Sequence, residues 1–197
     1  MSPTRLYHLP TSRSSRVLWT LGEIGEPHEV TQLSREDRSS PAHLARHPLG
    51  RVPVIEDDGE FLFESAAIIL ALADRHPQAG LNYPIGTRER ELVYQWVLFA
   101  MLEIEVPTGE ARTAGDADPE RAASARDRVA AAGAAVAAAL GDREFIVGDR
   151  LTAADIVLVS VLDFARQTGA LPPSDTLDRY LDAVIARPAR EAAYPRS

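Results

Sequence analysis

The stretch Arg51-Val52-Pro53-Val54-Ile55-Glu56-Asp57-Asp58-Gly59-Glu60-Phe61-Leu62-Phe63-Glu64-Ser65 decides how this chain is read. Pro53 interrupts the apolar β-like run Val52, Val54, Ile55, where a residue without an N–H cannot serve a sheet ladder. Asp58-Gly59 predicts a two-residue hairpin turn, Phe61-Leu62-Phe63 the returning strand, and Glu64-Ser65 the mouth of a helix. Proline at a strand start favours a cis bond, which bends the chain. Val52 then has an N–H and a C=O to offer an extended peptide, and Ser65, at a helix N-terminus, suits that peptide's carboxylate. The plainer reading of each half is an edge strand and a serine N-cap. Together the halves describe a clamp for a peptide.

With the residues before it, the segment reads His47-Pro48-Leu49-Gly50-Arg51-Val52-Pro53-Val54, then an acidic-Gly turn, then Glu64-Ser65. This pattern resembles the glutathione-binding half of the cytosolic glutathione S-transferases, and the resemblance extends to both ends of the chain. It implies glutathione as co-substrate. Val52, beside Pro53, would pair with the cysteinyl backbone of glutathione. Glu64 and Ser65 would hold its γ-glutamyl end, and Arg51 would meet its glycyl region. Arg38 is a candidate for the glycine carboxylate, with a solvated loop arginine as the alternative.

The rest of the sequence fits that arrangement. Arg5 to Leu9 reads as a strand. Ser12 to Gly25 reads as a helix with Val17, Leu18, Leu21 and Ile24 on one face and Gly25 ending it. His28 to Leu33 predicts a second strand and Pro41 to Arg46 a short helix. The clamp hairpin and a helix over Ser65 to Arg75 follow. The order β-α-β-α-β-β-α is thioredoxin-like, and we assign residues 1–78 to that α/β domain. Residues 79–86, with Gly80, Pro84 and Gly86, read as a linker, and residues 87–197 as an all-helical domain. Glu89 to Val106 is expected as one helix with Leu92, Trp96, Phe99 and Leu102 on a face, and Pro119 to Leu140 as an alanine-rich helix of high propensity. Leu151-Thr152-Ala153-Ala154-Asp155-Ile156 spells a capping box with a hydrophobic staple at the start of an apolar helix, a folding device.

Composition narrows the function classes. The 197 residues carry a net charge of -8, which argues against a nucleic-acid-binding surface. With no cysteine, disulfides, thiolate metal sites and a cysteine nucleophile are excluded. No uncharged run approaches the ~18 residues that span a bilayer, and the expectation is a cytoplasmic protein with no membrane partner. His43 and His47 stand four apart but lack a third ligand, and Pro48 breaks the element, so no metal is expected. No P-loop, dinucleotide fingerprint or Gly-x-Ser-x-Gly elbow is present.

The turn Leu9-Pro10-Thr11-Ser12-Arg13-Ser14-Ser15-Arg16 carries the candidate chemistry. A free thiol titrates at about 8.5, and a hydroxyl donating to sulfur beside guanidinium charge and a helix N-terminus favours the thiolate. Ser12 is the first candidate for that donor, Ser14 the alternative, with Thr11 and backbone-only activation also open. This resembles the serine-type transferases. Tyr7, one place from where tyrosine-type transferases keep their hydroxyl, reads as a strand residue. The function implied is conjugation of glutathione thiolate to a hydrophobic electrophile by a homodimer, with Tyr94, Trp96, Val97 and Met101 as candidate pocket residues. Two alternatives are a non-catalytic binding protein on the same fold and a glutathione-dependent isomerase or etherase. The isomerases' Ser-Ser-Cys-x-x-Arg turn is not matched here.

Overall fold

The computed structural model describes residues 3–194 and divides into two compact units. The first contains residues up to Ala79 together with the chain from Arg187 onward. Its elements are β1 (Thr4–His8), α1 (Ser14–Ile24), β2 (His28–Gln32), α2 (Pro41–Leu44), β3 (Val54–Asp57), β4 (Glu60–Phe63), α3 (Ser65–Arg75) and, from the far end of the chain, α9 (Pro188–Ala193). The sheet order is β2-β1-β3-β4, with β1 parallel to β2 and antiparallel to β3, and β3 antiparallel to β4. This is the expected βαβαββα order. Leu6, Val17, Trp19, Ile55, Ile68 and Leu72 are buried in its core.

The hairpin forms as its sequence demands. Asp58 and Gly59 both have positive φ, 48° and 86°, as a type I′ turn requires. That turn sets the register Val54 to Phe63, Ile55 to Leu62 and Glu56 to Phe61. Helix α1 starts at Ser14, two residues later than expected, because a turn precedes it in which Ser15 N–H bonds Ser12 O at 3.0 Å. Gly25, at φ 77°, ends it with its N–H on Leu21 O.

The second unit, Gly80–Ala186, is helical: α4 (Arg88–Phe99), a π-helical turn (Ala100–Glu105), α5 (Val106–Ala114), α6 (Pro119–Leu140), α7 (Ala153–Gln167) and α8 (Asp175–Ile185). The single helix expected over Glu89 to Val106 is therefore broken. Pro107 has no N–H for the carbonyl four residues back and its ring would clash there, and the wider π turn accommodates it. The buried row is Val93, Val97, Ala100 and Ile104. The expected face of Leu92, Trp96, Phe99 and Leu102 lies to its side, with Leu102 exposed.

Helix α7 is buried along almost its whole length. Its capping box is formed, and Asp155 does more than cap. It accepts N–H bonds from Thr152 and Ile146 and the Tyr180 hydroxyl, all at 2.8 Å. The segment expected as linker is tied to this unit from Gly80 on, since Leu81 O accepts Ala153 N–H at 2.8 Å and Gly80 O accepts Arg150 Nε–H at 2.9 Å. The unit boundaries thus differ from the expected 79–86 linker, and the chain from Arg187 onward joins the first unit. No helix among the described residues is long and apolar enough to cross a membrane.

Candidate glutathione site

A cleft in the first unit is lined by Arg13, His47, Arg51, Val52, Pro53, Glu64 and Ser65. Five of these seven come from the motif residues on which the clamp was read. The β1–β3 ladder ends at Tyr7 and Val54, so Val52 lies beyond it, next to a cis Val52–Pro53 bond. Two histidines shape this segment. His43, buried on α2, meets Arg51 O through Nε2 at 2.9 Å and so holds the backbone just before Val52. His47 accepts Leu49 N–H on Nδ1 at 3.1 Å, and its ring lies 4.7 Å from that of Phe63. Burial lowers the His47 pKa, with Glu64 opposing, so the ring contributes a neutral wall to the cleft. The pair four apart that raised the metal question thus serves the backbone and the cleft wall. Gly50 is required by contact: at φ 60°, a Cβ there would stand 2.4 Å from Arg38 O.

Glu64 and Ser65 complete the lining. Glu64 is a non-glycine residue at φ 72°, ψ 112°, a sparsely populated conformation that turns the chain from β4 into α3. Such conformations cluster at ligand clamps. No side chain caps α3, whereas Thr87, Asp118 and Ser174 cap α4, α6 and α8. Ser65, the first residue of α3, is only 1% exposed, and its hydroxyl has no hydrogen-bond partner among the described residues. A buried hydroxyl without a partner costs stability that an arriving acceptor restores. With Arg13 and Arg51 on the same cleft, the lining and the helix N-terminus favour a negatively charged group.

The serine turn separates its two candidates. Ser14 is fully buried: Leu9 N–H donates to its Oγ at 3.1 Å, and Leu9 O, Ser12 Oγ and His8 Nδ1 lie at 3.0, 2.8 and 2.8 Å. Ser12 is half-buried, donates to Leu9 O at 2.6 Å and accepts Ser14 N–H at 3.2 Å. It adjoins Arg13, which lines the cleft. Thr11 is exposed at φ 57°, a rare conformation for a β-branched residue, and its hydroxyl donates to Pro10 O at 2.7 Å. Tyr7 donates to Glu56 at 2.6 Å under the Arg46 guanidinium, and burial, then Glu56, raises its pKa. Arg38 lies on a 3₁₀ turn, Asp37–Ser39, half-buried, its backbone against Gly50 and outside the cleft lining. In the second unit Val97 is core, and Tyr94 Oη accepts Arg90 Nε–H at 2.8 Å. His8 and the wall role of His47 were not singled out in the sequence. His47 was signalled by its place in the His-Pro-Leu-Gly run.

Comparison with known proteins identifies the family. Residues 6–80 match the family model described as glutathione S-transferase, N-terminal domain, and residues 90–188 match glutathione S-transferase, C-terminal domain. The chain is 42% identical over 96 residues to glutathione S-transferase 3 of Schizosaccharomyces pombe, a match spanning 48% of this chain and 40% of that protein. It is 33% identical over 171 residues to a maleylacetoacetate isomerase of Pseudomonas aeruginosa, covering 81% and 78% of the two chains. A sphingomonad glutathione S-transferase solved with glutathione superposes at TM-score 0.85 with 28% identity, over 96% of both chains. The chain belongs to the glutathione S-transferase family.

Proposed function

We propose that this protein binds glutathione in the cleft of the first unit and transfers its thiolate to a hydrophobic electrophile. The observation that carries the reading is the buried, unpartnered Ser65 hydroxyl beside the Glu64 backbone turn at an uncapped helix N-terminus. It suits the α-carboxylate of a γ-glutamyl group, with Glu64 for the amino group. Val52 offers backbone groups to the cysteinyl residue, and Arg51 supplies positive charge for the glycyl end; Arg38, outside the lining, is left as a loop arginine.

Ser12 is assigned as the donor to the thiol. Ser14 is enclosed on every side by Leu9, His8 and Ser12, whereas Ser12 is half-buried and next to a cleft residue. Its proton rests on Leu9 O, a bond that an anionic sulfur outcompetes, because hydrogen bonds to charged acceptors are about twice as strong. The match to the Schizosaccharomyces pombe transferase spans under half of that protein, so the reaction is assigned from the site together with the family.

A second reading follows from the Pseudomonas isomerase, which aligns with this chain over 78% of its own length at 33% identity. Glutathione-dependent isomerisation uses the same clamp and thiolate. Titration calorimetry with glutathione, then turnover assays with aryl halides, epoxides, isothiocyanates, peroxides and a cis-enoyl diketone acid, decide between them. No binding of glutathione at millimolar concentration would overturn both.

A further inference from the structure

His8 is buried at the end of β1, its Nδ1 2.8 Å from Ser14 Oγ, and Ser14 Oγ is 2.8 Å from Ser12 Oγ. These contacts make an unbroken line of hydrogen-bonding atoms from the strand to Ser12, the residue before Arg13 of the cleft lining. Proton counting decides what the line can do. Each hydroxyl has one proton and two lone pairs. Leu9 N–H occupies one lone pair of Ser14. When Ser12 turns its proton from Leu9 O to a bound sulfur, its oxygen is best held by two donors, and Ser14 supplies both, N–H at 3.2 Å and Oγ–H at 2.8 Å. Ser14 has then spent its only proton, so the remaining contact is satisfied only if His8 Nδ1–H donates to Ser14.

We propose that His8 is a positioning residue for thiol activation, its Nδ1–H ordering Ser14, and Ser14 in turn ordering Ser12, so that every hydroxyl proton points toward the sulfur. The inference rests on Ser12 being the thiol donor. Each link in such a chain polarises the next, so the terminal hydroxyl donates more strongly than an isolated one. Burial lowers the His8 pKa, which leaves the ring neutral at physiological pH with one proton to place on Nδ1. The link from Ser14 back to Leu9 O at 3.0 Å is the competing arrangement, in which His8 has no part.

The experiment compares His8→Leu, His8→Asn, Ser14→Ala and Ser12→Ala, each alone, and His8→Leu combined with Ser12→Ala. The readouts are glutathione affinity by calorimetry, ultraviolet thiolate absorbance of the saturated complex at neutral pH, and kcat with an activated aryl halide. Asparagine places an N–H where His8 has Nδ1. We expect His8→Leu to leave glutathione affinity within about twofold and to lower bound thiolate and kcat about fivefold, the worth of one hydrogen bond. Asn should restore most of both, and His8→Leu should add nothing to Ser12→Ala. Should His8→Leu fail to fold, Ser14→Ala, which breaks the middle link and also frees Leu9 N–H, must lower bound thiolate as well. Unchanged thiolate in the His8 and Ser14 variants, with thiolate lost in Ser12→Ala, overturns this inference alone. Unchanged thiolate in Ser12→Ala overturns the assignment of Ser12 and this inference with it.

Discussion

Glu23 and Arg187, 164 residues apart, form a two-point ion pair: Nε donates to Oε1 and Nη2 to Oε2, both at 2.7 Å. Glu23 also accepts Trp19 Nε1–H at 2.9 Å, and its side chain is only 10% exposed. Beside the pair, α9 packs on α1 so closely that a Cβ on Gly22 would come 3.1 Å from Ala189 Cβ. The carboxylate therefore ties the last described helix to the first.

That pair sets a pH dependence. Burial alone would raise the Glu23 pKa, but the Arg187 and Trp19 hydrogen bonds outweigh it and the net shift is downward. A carboxyl with a depressed folded-state pKa contributes stability that is present above the ordinary value near 4.5 and is lost as pH falls through the folded value. We expect Glu23→Gln to cost about 1–3 kcal/mol at neutral pH, since it removes a charge-assisted pair. The difference between variant and parent should shrink below pH 4.5. Urea unfolding at several pH values checks this, and a constant difference across the range would refute it.

Ser65→Ala should act with opposite signs on two quantities. Its hydroxyl is buried and unpartnered in the free protein, so removing it should leave unliganded stability unchanged or raised. Glutathione affinity should fall by about 1–3 kcal/mol, the value of a hydrogen bond to a charged group. Calorimetry gives the affinity and thermal melting without ligand gives the stability. Loss of both together would mean that Ser65 has a structural role only.

The serine assignment predicts a graded series. Ser12→Ala should keep most glutathione affinity and raise the pKa of the bound thiol by about one unit, a tenfold loss of thiolate below that pKa. Ser14→Ala should show a smaller shift, because it acts only through Ser12. Titrating thiolate absorbance of the three complexes against pH measures this. A full effect in Ser14→Ala with none in Ser12→Ala would move the role by two residues.

What could be read from the sequence divides along physical lines. The hairpin was legible because Asp58-Gly59 leaves few turn geometries open, and α3 and α6 because apolar runs and high helix propensity coincide with clear starts. The lining of the cleft was legible because most of it comes from one local run, Arg51 to Ser65. The Glu23–Arg187 pair was not, since nothing local links two surface-type charges 164 residues apart. The π turn was hidden because the apolar spacing continues through it, although Pro107 marked the place. The role of His8 is not legible because a histidine ending a strand looks like any other until the fold brings Ser14 Oγ to 2.8 Å from its Nδ1.

Asp155 organises the second unit and offers a test free of the chemistry. It is fully buried and accepts from Thr152, Ile146 and Tyr180. Asp155→Ala strands two backbone N–H groups and the Tyr180 hydroxyl, each worth about 1–3 kcal/mol when left buried and unmade. Tyr180→Phe removes one acceptor–donor contact and should cost about 1 kcal/mol. Chemical denaturation measures both. A loss for Asp155→Ala no larger than for Tyr180→Phe would show that the capping bonds do not hold the start of α7.

Assembly is the last prediction. Strand β4 is an edge of the sheet, and Phe61 and Phe63, two residues apart and so on one face, are 40% and 38% exposed. An edge carrying two exposed aromatics is a contact surface or an aggregation hazard unless something covers it. We propose that a second copy of the chain covers it, in the two-fold arrangement that most soluble oligomers adopt. Light scattering at micromolar concentration should then give the dimer mass. Phe61→Glu with Phe63→Glu should shift the protein to the monomer and leave the first unit folded, because neither ring is among the fully buried core. Circular dichroism confirms the fold of that variant, and Phe61→Glu alone, which leaves the Phe63–His47 ring contact of the cleft in place, separates an effect on assembly from one on the cleft. A parent protein that scatters as a monomer would rule the dimer out, and a variant that remains dimeric would move the interface away from β4.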